Sequence, residues 1–350
     1  MAITKVTNEL LEIGILADAT NFTDSILISQ NASTGTLSSA TDNVGIGDDV
    51  FAALTSGRNS VAIGSNALDA NTSGKNNVAV GHDALGANTT ADSNTAVGKS
   101  ALEANTTGNL NVAIGTLALD ANTVGDRSVA VGYSALGSQN PASNADMNNT
   151  AVGYNAGGGL TTGIKNTLIG SVAGDAITTA DNNTAVGFSA LTANTTGASN
   201  TAIGKDSLAA NTTASNNIAV GLGALKDNTT GATNTAIGSE ALNNNTTASN
   251  NTAVGADALY TNTTGAGGTA VGAASLDAVT TGDYNTGVGF TSGSKVTTGT
   301  RNVALGAFAL QEATTGNDNT YVGYAAGAAT TTASDNTAVG KSALAANTTG

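Results

Sequence analysis

The chain lacks the residues on which compact cores and covalent cross-links usually depend. Its 350 residues include no cysteine, no tryptophan and one proline, and aromatic residues make up 3%. The absence of cysteine excludes disulfides and thiolate-bound metal, although it does not identify a compartment. Large apolar side chains are scarce and alanine is abundant, so each residue can bury little surface. Such a chain can fold only if small residues pack in a regular, repeated way.

Charge is also scarce, and its balance is acidic. Charged residues make up 10% of the chain, and 25 acidic against 11 basic residues give a formal charge of −14. Nucleic acids and anionic membranes require clustered lysine and arginine, so neither is expected as a partner. The apolar runs fall well short of the roughly 18 residues of a membrane-spanning helix. Lys5, Glu9 and Glu12 interrupt the first apolar positions, unlike in a secretory signal, so we expect synthesis in the cytoplasm.

The sequence contains instead a 17-residue repeat. Each repeat carries a glycine directly after Val, Ile or Leu, and consecutive glycines keep this spacing at every step but one. The exception is the longer step from Gly132 to Gly153, which indicates an insertion at 137–148. The 18 anchoring glycines are at positions 47, 64, 81, 98, 115, 132, 153, 170, 187, 204, 221, 238, 255, 272, 289, 306, 323 and 340. A fixed period of this kind is typical of a solenoid, in which each turn covers its neighbour.

Positions within a repeat are counted here from the anchoring glycine as position 0. Position −2 is mostly Ala, −4 mostly Asn, +4 mostly Leu and +8 mostly Thr. The alternation from −3 to −1 predicts a short strand, since successive side chains of a strand point to opposite faces. The glycine makes a tight corner, Leu at +4 tucks under the strand, and Asn-Thr-Thr forms a second extended run. The predicted fold is an all-β, parallel β-solenoid of 18 coils over 43–350.

Four coils have glycine at +4, where the pattern leaves a hole. They contain Gly157, Gly174, Gly293 and Gly327. In three of these coils Leu160, Ile177 or Val296 replaces the usual Asn at +7, so we expect apolar volume to have moved between two inward positions. The fourth coil has Thr330 at +7 and offers no such replacement. The Asn column at −4 suits a turn, and it could also form a ladder of side-chain amides along the axis.

One coil alone has a thin core, which indicates an oligomer. We predict that the Ala column at −2 lies on the outer face of the strand, opposite the buried Val or Ile. Small residues on that face would let the backbones of partner chains approach closely. The sequence therefore predicts an alanine seam between copies packed side by side.

The repeat resembles known fibrous proteins. The pattern N-[TSV]-A-[VI]-G-x-x-[AS]-L resembles the head repeats of YadA-like trimeric autotransporter adhesins, which are left-handed parallel β-rolls wound as homotrimers. The longer unit N-T-A-V-G-x-x-A-L-x-x-N-T-T-G is similar to repeats of phage tail-fibre and related virion proteins, and MAITKVTNELLE resembles the N-termini of phage fibre proteins. The repeat resemblance covers about 43–350. Neither an autotransporter anchor nor a fibre tip follows the last repeat, which suggests a longer natural protein.

Residues 1–42 depart from the repeat. Residues 25–42 are interpreted as a degenerate first coil, with Leu27 and Ile28 as its strand and Ser29 in the place of the glycine. Residues 1–24 would then cap the open end of the solenoid or attach it to a larger particle. Solenoids require covered ends, so capping alone is sufficient to explain this segment.

Few residues offer chemistry. The single histidine, His82, follows a corner glycine and is expected to be a solvated turn residue. One histidine without cysteine cannot make a typical zinc site, and no residue near His82 departs from the repeat in a way that indicates a Ser–His–acid triad. Phosphate-binding G-x-G-x-x-G and calcium-binding G-G-x-G-x-D motifs are absent, and no repeat stands out as a glycosidase carboxylate pair. Aspartates at +2 are expected to be isolated surface carboxylates: Asp49, Asp83, Asp206 and Asp257. We expect no enzyme activity, cofactor or metal site.

The insertion is the main candidate for a binding loop. A loop on a rigid scaffold is where binding residues are often added, although simple tolerance of an insertion at the surface also explains it. The candidate residues are Gln139, Asn140, Pro141, Asn144 and Asp146.

The function predicted from these features is that of a homotrimeric fibre shaft in a virion. It would join other virion or tail proteins through its N-terminus and present an end that binds a host receptor or glycan. The alternative is an adhesin of the bacterial cell surface whose solenoid binds host or matrix. A third hypothesis is a solenoid that binds ice through its threonine columns or hydrolyses glycans.

Overall fold

The structure is a computed structural model that describes residues 14–19, 22–29 and 34–349. The chain forms two compact units, of which the first ends at Ala180 and the second begins at Asp181. Strands are the only regular secondary structure in the described ranges. Each unit is a parallel β-solenoid, and the chain makes about 18 turns. The fold class predicted from the repeat period is confirmed.

The first unit is built from short strands, most of them spanning positions −3 to −1 of a turn. They are β1 (Gly14–Ala19), β2 (Phe22–Ser29), β3 (Ala40–Thr41), β4 (Val44–Ile46), β5 (Val61–Ile63), β6 (Val78–Val80), β7 (Thr95–Val97), β8 (Val112–Ile114), β9 (Gly125–Asp126), β10 (Val129–Val131), β11 (Ala145–Asp146), β12 (Thr150–Val152) and β13 (Thr167–Ile169).

The strands of successive turns pair in parallel and in register. Val61 of β5 lies opposite Val78 of β6, one turn later. Across the insertion the step along the chain is longer, yet Val129 of β10 still lies opposite Thr150 of β12. The added residues therefore leave the main ladder unchanged. Strand β11 of the insertion instead pairs in parallel with β9 of the preceding turn, as a separate two-stranded sheet.

The N-terminal part of the first unit begins with an antiparallel pair, β1 and β2. Strand β2 then pairs in parallel with β4, with Leu27 opposite Gly45 and Ile28 opposite Ile46. This register puts Ser29 at the place that a corner glycine takes in later turns. Most of the predicted cap or attachment segment, 1–24, lies outside the described residues.

The second unit repeats one turn without insertion. Its strands are β14 (Thr184–Val186), β15 (Thr201–Ile203), β16 (Ile218–Val220), β17 (Thr235–Ile237), β18 (Thr252–Val254), β19 (Thr269–Val271), β20 (Thr286–Val288), β21 (Val303–Leu305), β22 (Thr320–Val322) and β23 (Thr337–Val339). Each strand from β14 to β22 pairs in parallel with the strand one repeat later, as Thr184 does with Thr201.

The two faces of each strand are the reverse of those predicted. The alanines at −2, such as Ala62 and Ala202, point inward and are fully buried. The Val and Ile residues at −1 point outward, and Ile63 and Ile203 remain 37% and 40% exposed. The coil is narrow, and Leu at +4 with the inward amides leaves room for little more than a methyl group opposite. The prediction of an alanine seam between copies is therefore wrong.

In some turns the sizes of the residues at −2 and +4 compensate each other. Gly45 at −2 faces Phe51 at +4, with a Cβ on Gly45 only 3.1 Å from the Phe51 ring. In the opposite case Tyr321 at −2 is fully buried and fills the space beside Gly327, where an added Cβ would lie 2.5 Å from the ring. The Thr330 hydroxyl donates a 3.1 Å hydrogen bond to the Tyr321 hydroxyl. Tyr321 thus fills the hole for which Thr330 alone offered no replacement.

Glycine at +4 is also acceptable because of the backbone conformation there. Gly174 has a φ of +57°, in the left-handed region where glycine carries no steric penalty, whereas Leu85 adopts a φ of +52° at the same repeat position. The three apolar residues expected to fill the space, Leu160, Ile177 and Val296, are fully buried. The predicted transfer of apolar volume to +7 is confirmed.

The Asn-Thr-Thr segments do not form the predicted second strand. The backbone N–H groups of Thr55 and Ser56 both donate to the carbonyl of Thr72 in the next turn, each at 2.9 Å. Two adjacent donors can share one acceptor only if the chain bends. Each turn therefore has one strand in the main ladder. The Asn-Thr-Thr segment is a bend whose adjacent N–H groups donate to one carbonyl of the next turn.

Two columns of amide side chains are buried inside the turns. In the −4 column, Asn77 accepts from the Asn94 backbone N–H at 2.9 Å and donates to the Ala91 carbonyl at 2.8 Å. This column satisfies the backbone, with side-chain contacts added in places, as from Asn302 to Asn285. A ladder of amide-to-amide bonds runs instead through position +7. Its members are Asn71, Asn88, Asn105, Asn122 and Gln139 in the first unit and Asn194, Asn211, Asn228, Asn245 and Asn262 in the second.

Candidate functional surfaces

The outward strand face is defined here as positions −3 and −1 of every turn. Position −3 is Thr, Val or Ile, and position −1 is Val, Ile or Leu, so none of these side chains carries a charge. Ile114 in the first unit and Ile237 in the second are exposed, although both are large and apolar. In each unit the −1 column is an apolar stripe beside a −3 column, and over the 18 repeats Thr is the commonest residue at −3. An exposed apolar stripe is characteristic of a protein interaction surface. The sequence predicted an interaction face on these strands but placed it on the alanine side.

Aromatic side chains collect at the corner that follows the outward strand face. Of the six Tyr and five Phe residues of the chain, five are at +1: Tyr133, Tyr154, Phe188, Phe290 and Tyr324. In the first unit, Tyr133 and Tyr154 stack with ring centroids 5.5 Å apart and planes within 10°. In the second unit, Phe308 packs edge-to-face with Phe290 and with Tyr324, at distances of 5.6 and 5.7 Å between the ring centroids. Counting aromatic residues by repeat position would have revealed this column from the sequence.

The insertion buries two of its five predicted binding residues. Gln139 occupies the inner amide ladder and is fully buried, where its Oε1 accepts from Asn149 Nδ2 at 3.0 Å. Pro141 is buried as well. Pro141 and Met147 crowd against Gly125, where an added Cβ would lie 3.1 and 3.0 Å from their side chains. Gln139 and Pro141 therefore hold the loop in place and have little or no surface for a ligand.

The other three predicted residues, Asn140, Asn144 and Asp146, are exposed. All three bond to the preceding turn. Asn140 Oδ1 accepts from the Thr123 hydroxyl at 2.7 Å, Asn144 Nδ2 approaches Asp126 Oδ1 at 3.4 Å, and Asp146 forms an ion pair with Arg127. The insertion is thus a surface loop fixed to the preceding turn. Its exposed polar side chains are close to one another in sequence, and each already bonds to a residue of that turn.

An acidic hollow of about 620 Å³ lies on the first unit. Its carboxylates come from Asp69, Asp83, Glu103 and Asp120, and Gly86 leaves the middle of the hollow open. Burial raises the pKa of Asp69 and of Asp120 above the usual range, and nearby carboxylates raise both further, while backbone hydrogen bonds oppose the rise. Three of these residues share position +5, a regularity that the sequence interpretation did not use.

The aspartates predicted at +2 have different surroundings. Asp83 belongs to the acidic hollow, so the prediction of an isolated carboxylate is wrong for this residue. Its carboxylate lies 2.5 Å from the Nδ1 of exposed His82 and accepts from Asn66 Nδ2 at 2.8 Å. Asp206 lies 3.7 Å from the Lys205 ammonium group. Within the described ranges, no group of three or more His, Cys, Asp or Glu residues is arranged to hold a metal ion.

Threonine columns run along the bend of each turn. The hydroxyl at +8 is used within the fold, as Thr229 donates to the Thr246 carbonyl at 2.9 Å. The next residue, at +9, is exposed in each turn of the second unit. These residues are Thr196, Thr213, Thr230, Thr247, Thr264, Thr281, Thr298, Thr315, Thr332 and Thr349. Only one of the two columns therefore presents its hydroxyls fully to the surroundings.

Comparison with known proteins does not assign the chain to a family. A scan against protein-family models gives no match, and a search of curated proteins gives none either. None of the residues that the structure describes belongs to a helix that could cross a membrane.

Proposed function

We propose that the chain is a structural fibre protein, the homotrimeric shaft of a virion fibre, with no catalytic role. The observation that carries this proposal is the outward strand face, an apolar column repeated on every turn of both units. Apolar surface of this extent is stabilised when a partner covers it. A protein with so little apolar volume inside each turn gains correspondingly more from assembly.

A second copy of the chain is the best-matched partner for the outward strand face. The side chains on this face recur once per turn, so a partner must carry apolar groups at the same rise. A parallel copy meets that condition at every turn, and its face also lacks charge, which matters for a chain of formal charge −14. Three copies wound as a left-handed roll is the arrangement implied by the resemblance to YadA-like head repeats.

The proposed mechanism is mechanical. The turns are held together by backbone bonds and by two buried amide columns, whose donors and acceptors would be costly to separate. Such a shaft would hold a receptor- or glycan-binding end away from the particle, with the N-terminal segment joined to other virion or tail proteins.

A bacterial surface adhesin is the alternative that one observation favours. The aromatic clusters at the corner are surfaces of the type that bind partners directly. Tyr133 with Tyr154, and Phe290 with Tyr324, expose their rings, and half-buried Phe308 lies between the latter two. An adhesin would use these side faces of the solenoid to bind host or matrix. A fibre shaft would use them only at the rim of the contact between copies.

The experiment that separates these functions is localisation with gold-labelled antibodies against the chain. Phage particles and bacterial cells would be separated from the same culture and imaged by electron microscopy. The shaft hypothesis predicts label on fibres of the particles and none on cell envelopes. Label on the envelopes of cells that release no particles would contradict it and support the adhesin.

A further inference from the structure

Unpaired polar atoms are concentrated in one part of the second unit. Three buried side-chain oxygens of the described residues have no hydrogen-bond partner, namely Asn262 Oδ1, Asp277 Oδ1 and Thr291 Oγ1. They lie close together in the sequence, although buried amide and hydroxyl groups occur in every turn. A buried polar atom without a partner destabilises the folded state, and each such atom in a native protein calls for a physical cause.

For Asn262 Oδ1 the cause is that both amide columns are interrupted at the turn that follows it. In the −4 column, Gly268 takes the place of the Asn found in the turns before and after, Asn251 and Asn285. In an intact turn, Asn302 accepts from the Asn319 backbone N–H at 3.1 Å and donates to the Gly316 carbonyl at 2.8 Å. Gly268 has no side chain with which to bond the equivalent groups, Asn285 N–H and Gly282 C=O.

The +7 ladder ends at the same turn. Asn262 Nδ2 donates to Asn245 Oδ1 at 3.0 Å, but the next residue of the column is Val279, which has no amide to donate to Asn262 Oδ1. From Val279 onward the column is apolar at Val296 and Ala313. The orphaned oxygen thus marks the boundary between a polar and an apolar interior.

The first unit passes through the same boundary without an unpaired atom. There Gln139 is the last amide of the +7 ladder and Leu160 follows it. The longer Gln139 side chain accepts from Ser128 Oγ at 3.1 Å and from Asn149 Nδ2 at 3.0 Å. Asn149 holds the repeat position that Gly268 holds in the second unit. Asn262 thus lacks both donors: Val279 supplies none at +7, and Gly268 supplies none at the position from which Asn149 bonds to Gln139.

We propose that the turn from Asn262 to Asn285 is a built-in opening point of the second unit, where neighbouring turns separate before any others in that unit. Local opening is governed by the bonds that hold a segment to its neighbours, and this turn lacks bonds that the others have. The opening would give the second unit a defined place to bend or to admit a protease. This property does not depend on the fibre role.

Hydrogen exchange followed by mass spectrometry on the full-length native protein tests the proposal. Backbone amides in 262–285 are expected to exchange at least about tenfold faster than those in 211–234, an intact stretch of the same unit. Gly268→Asn should slow exchange in 262–285 by about tenfold, because it restores the amide of the −4 column. An added Cβ at 268 would lie 3.1 Å from Asn251 Oδ1, a close contact, so the Asn251 side chain must shift by a few tenths of an ångström to admit it.

Val279→Asn is the second variant, and it supplies a donor for Asn262 Oδ1 from the other column. It decides the test if Gly268→Asn does not fold. Ser60→Asn is the matched control, because it adds an amide at −4 of the first unit, where Ser60 already donates to the Arg58 carbonyl. The control should leave exchange in 262–285 unchanged. Equal exchange in 262–285 and 211–234, or fast exchange that neither variant slows, would overturn the proposal.

Discussion

At the scale of single residues, the interior is governed by complementary volumes at positions −2, +4 and +7. Alanine at −2 faces leucine at +4 in most turns, and Phe51 at +4 faces Gly45. Where +4 is glycine, buried volume comes from −2, as with Tyr321, or from +7, as with Leu160 and Val296. Because the coil is narrow, an extra methyl group on one side must be offset on the other. Each turn thus behaves as a small core with a fixed volume.

Replacing Tyr321 with alanine should therefore destabilise the second unit strongly. The change leaves a cavity beside Gly327 and removes the partner of the Thr330 hydroxyl, for an expected loss of about 3–5 kcal/mol in the free energy of unfolding. Equilibrium denaturation in urea measures the loss. Tyr324→Ala, which removes an exposed ring in the same turn, is the control and should cost less than about 1 kcal/mol. Similar losses in both variants would refute the volume argument.

The residue pattern predicted the strand but not which side of it faces inward. Alternation from −3 to −1 shows that the two faces differ, and alanine fits either a crowded interior or a close contact between chains. What decides is the space left by Leu at +4 and by the two amide columns, which depends on the whole turn. Tyr321 escaped notice for the same reason, since its partner Gly327 lies across the coil.

At the scale of one turn, buried amide side chains provide stabilising contacts that a larger apolar core provides in other proteins. Each Asn of the +7 ladder bonds to a neighbouring turn and to its own bend, as Asn211 does with Asn194 Oδ1 at 2.9 Å and with the Ala214 carbonyl at 3.0 Å. The ladder is directional, so its inner members both donate and accept. Interrupting it leaves polar atoms unpaired in the interior.

Asn211→Ala should accordingly lower the free energy of unfolding by about 1–3 kcal/mol, because Asn194 Oδ1 loses its donor inside the fold. Thermal or chemical unfolding of the purified protein measures the change. Thr213→Ala, at a nearby exposed position of the same bend, is the control and should be nearly neutral. A neutral effect of Asn211→Ala would show that the ladder contributes no net stability.

The acidic hollow makes the stability of the first unit depend on pH. Burial holds the pKa of Asp120 and of Asp69 above the unfolded value, so the folded state binds protons more readily than the unfolded state. These groups therefore disfavour folding at pH 7, and that cost is relieved as the pH falls through their raised pKa values. We expect the melting temperature of the first unit to rise as the pH falls from 7 towards the ordinary aspartate pKa of 3.8.

Asp120→Asn should raise the melting temperature at pH 7 and weaken its dependence on pH. The control is Asp92→Asn, a first-unit carboxylate outside the hollow that accepts from the Lys75 backbone N–H at 2.7 Å. An unchanged pH profile in Asp120→Asn would contradict the assignment of this effect to the hollow.

The insertion shows how far sequence can predict a local element. Its position followed from the one longer step, between Gly132 and Gly153, and its surface location from the polar composition. The burial of Gln139 did not follow, because an amide in a loop is usually expected to face solvent. Its partners Asn122 and Asn149 belong to the neighbouring turns, and Ser128 lies at the other end of its own repeat. The repeat period places Gln139 in the +7 amide ladder only when the extra residues of the insertion are taken to follow Gln139.

At the scale of the whole molecule, the account depends on what covers the outward strand face. A lysine introduced on this face would place charge in a contact between copies, where removal from water is costly. Ile203→Lys with Ile237→Lys should convert the assembly to monomers while the content of β-structure in circular dichroism stays the same. Thr213→Lys with Thr247→Lys, on the exposed bend of the same unit, should leave the assembly intact. If both pairs of lysine substitutions dissociated the assembly, the added charge would act wherever it is placed. The outward strand face would then not be shown to be the contact between copies.

The most direct test is the mass of the native protein in solution, measured by light scattering before and after heating in detergent. The account predicts a heat-resistant assembly close to three times 33.7 kDa. A monomer of 33.7 kDa at every concentration would contradict the proposed homotrimeric shaft and leave the outward strand face exposed.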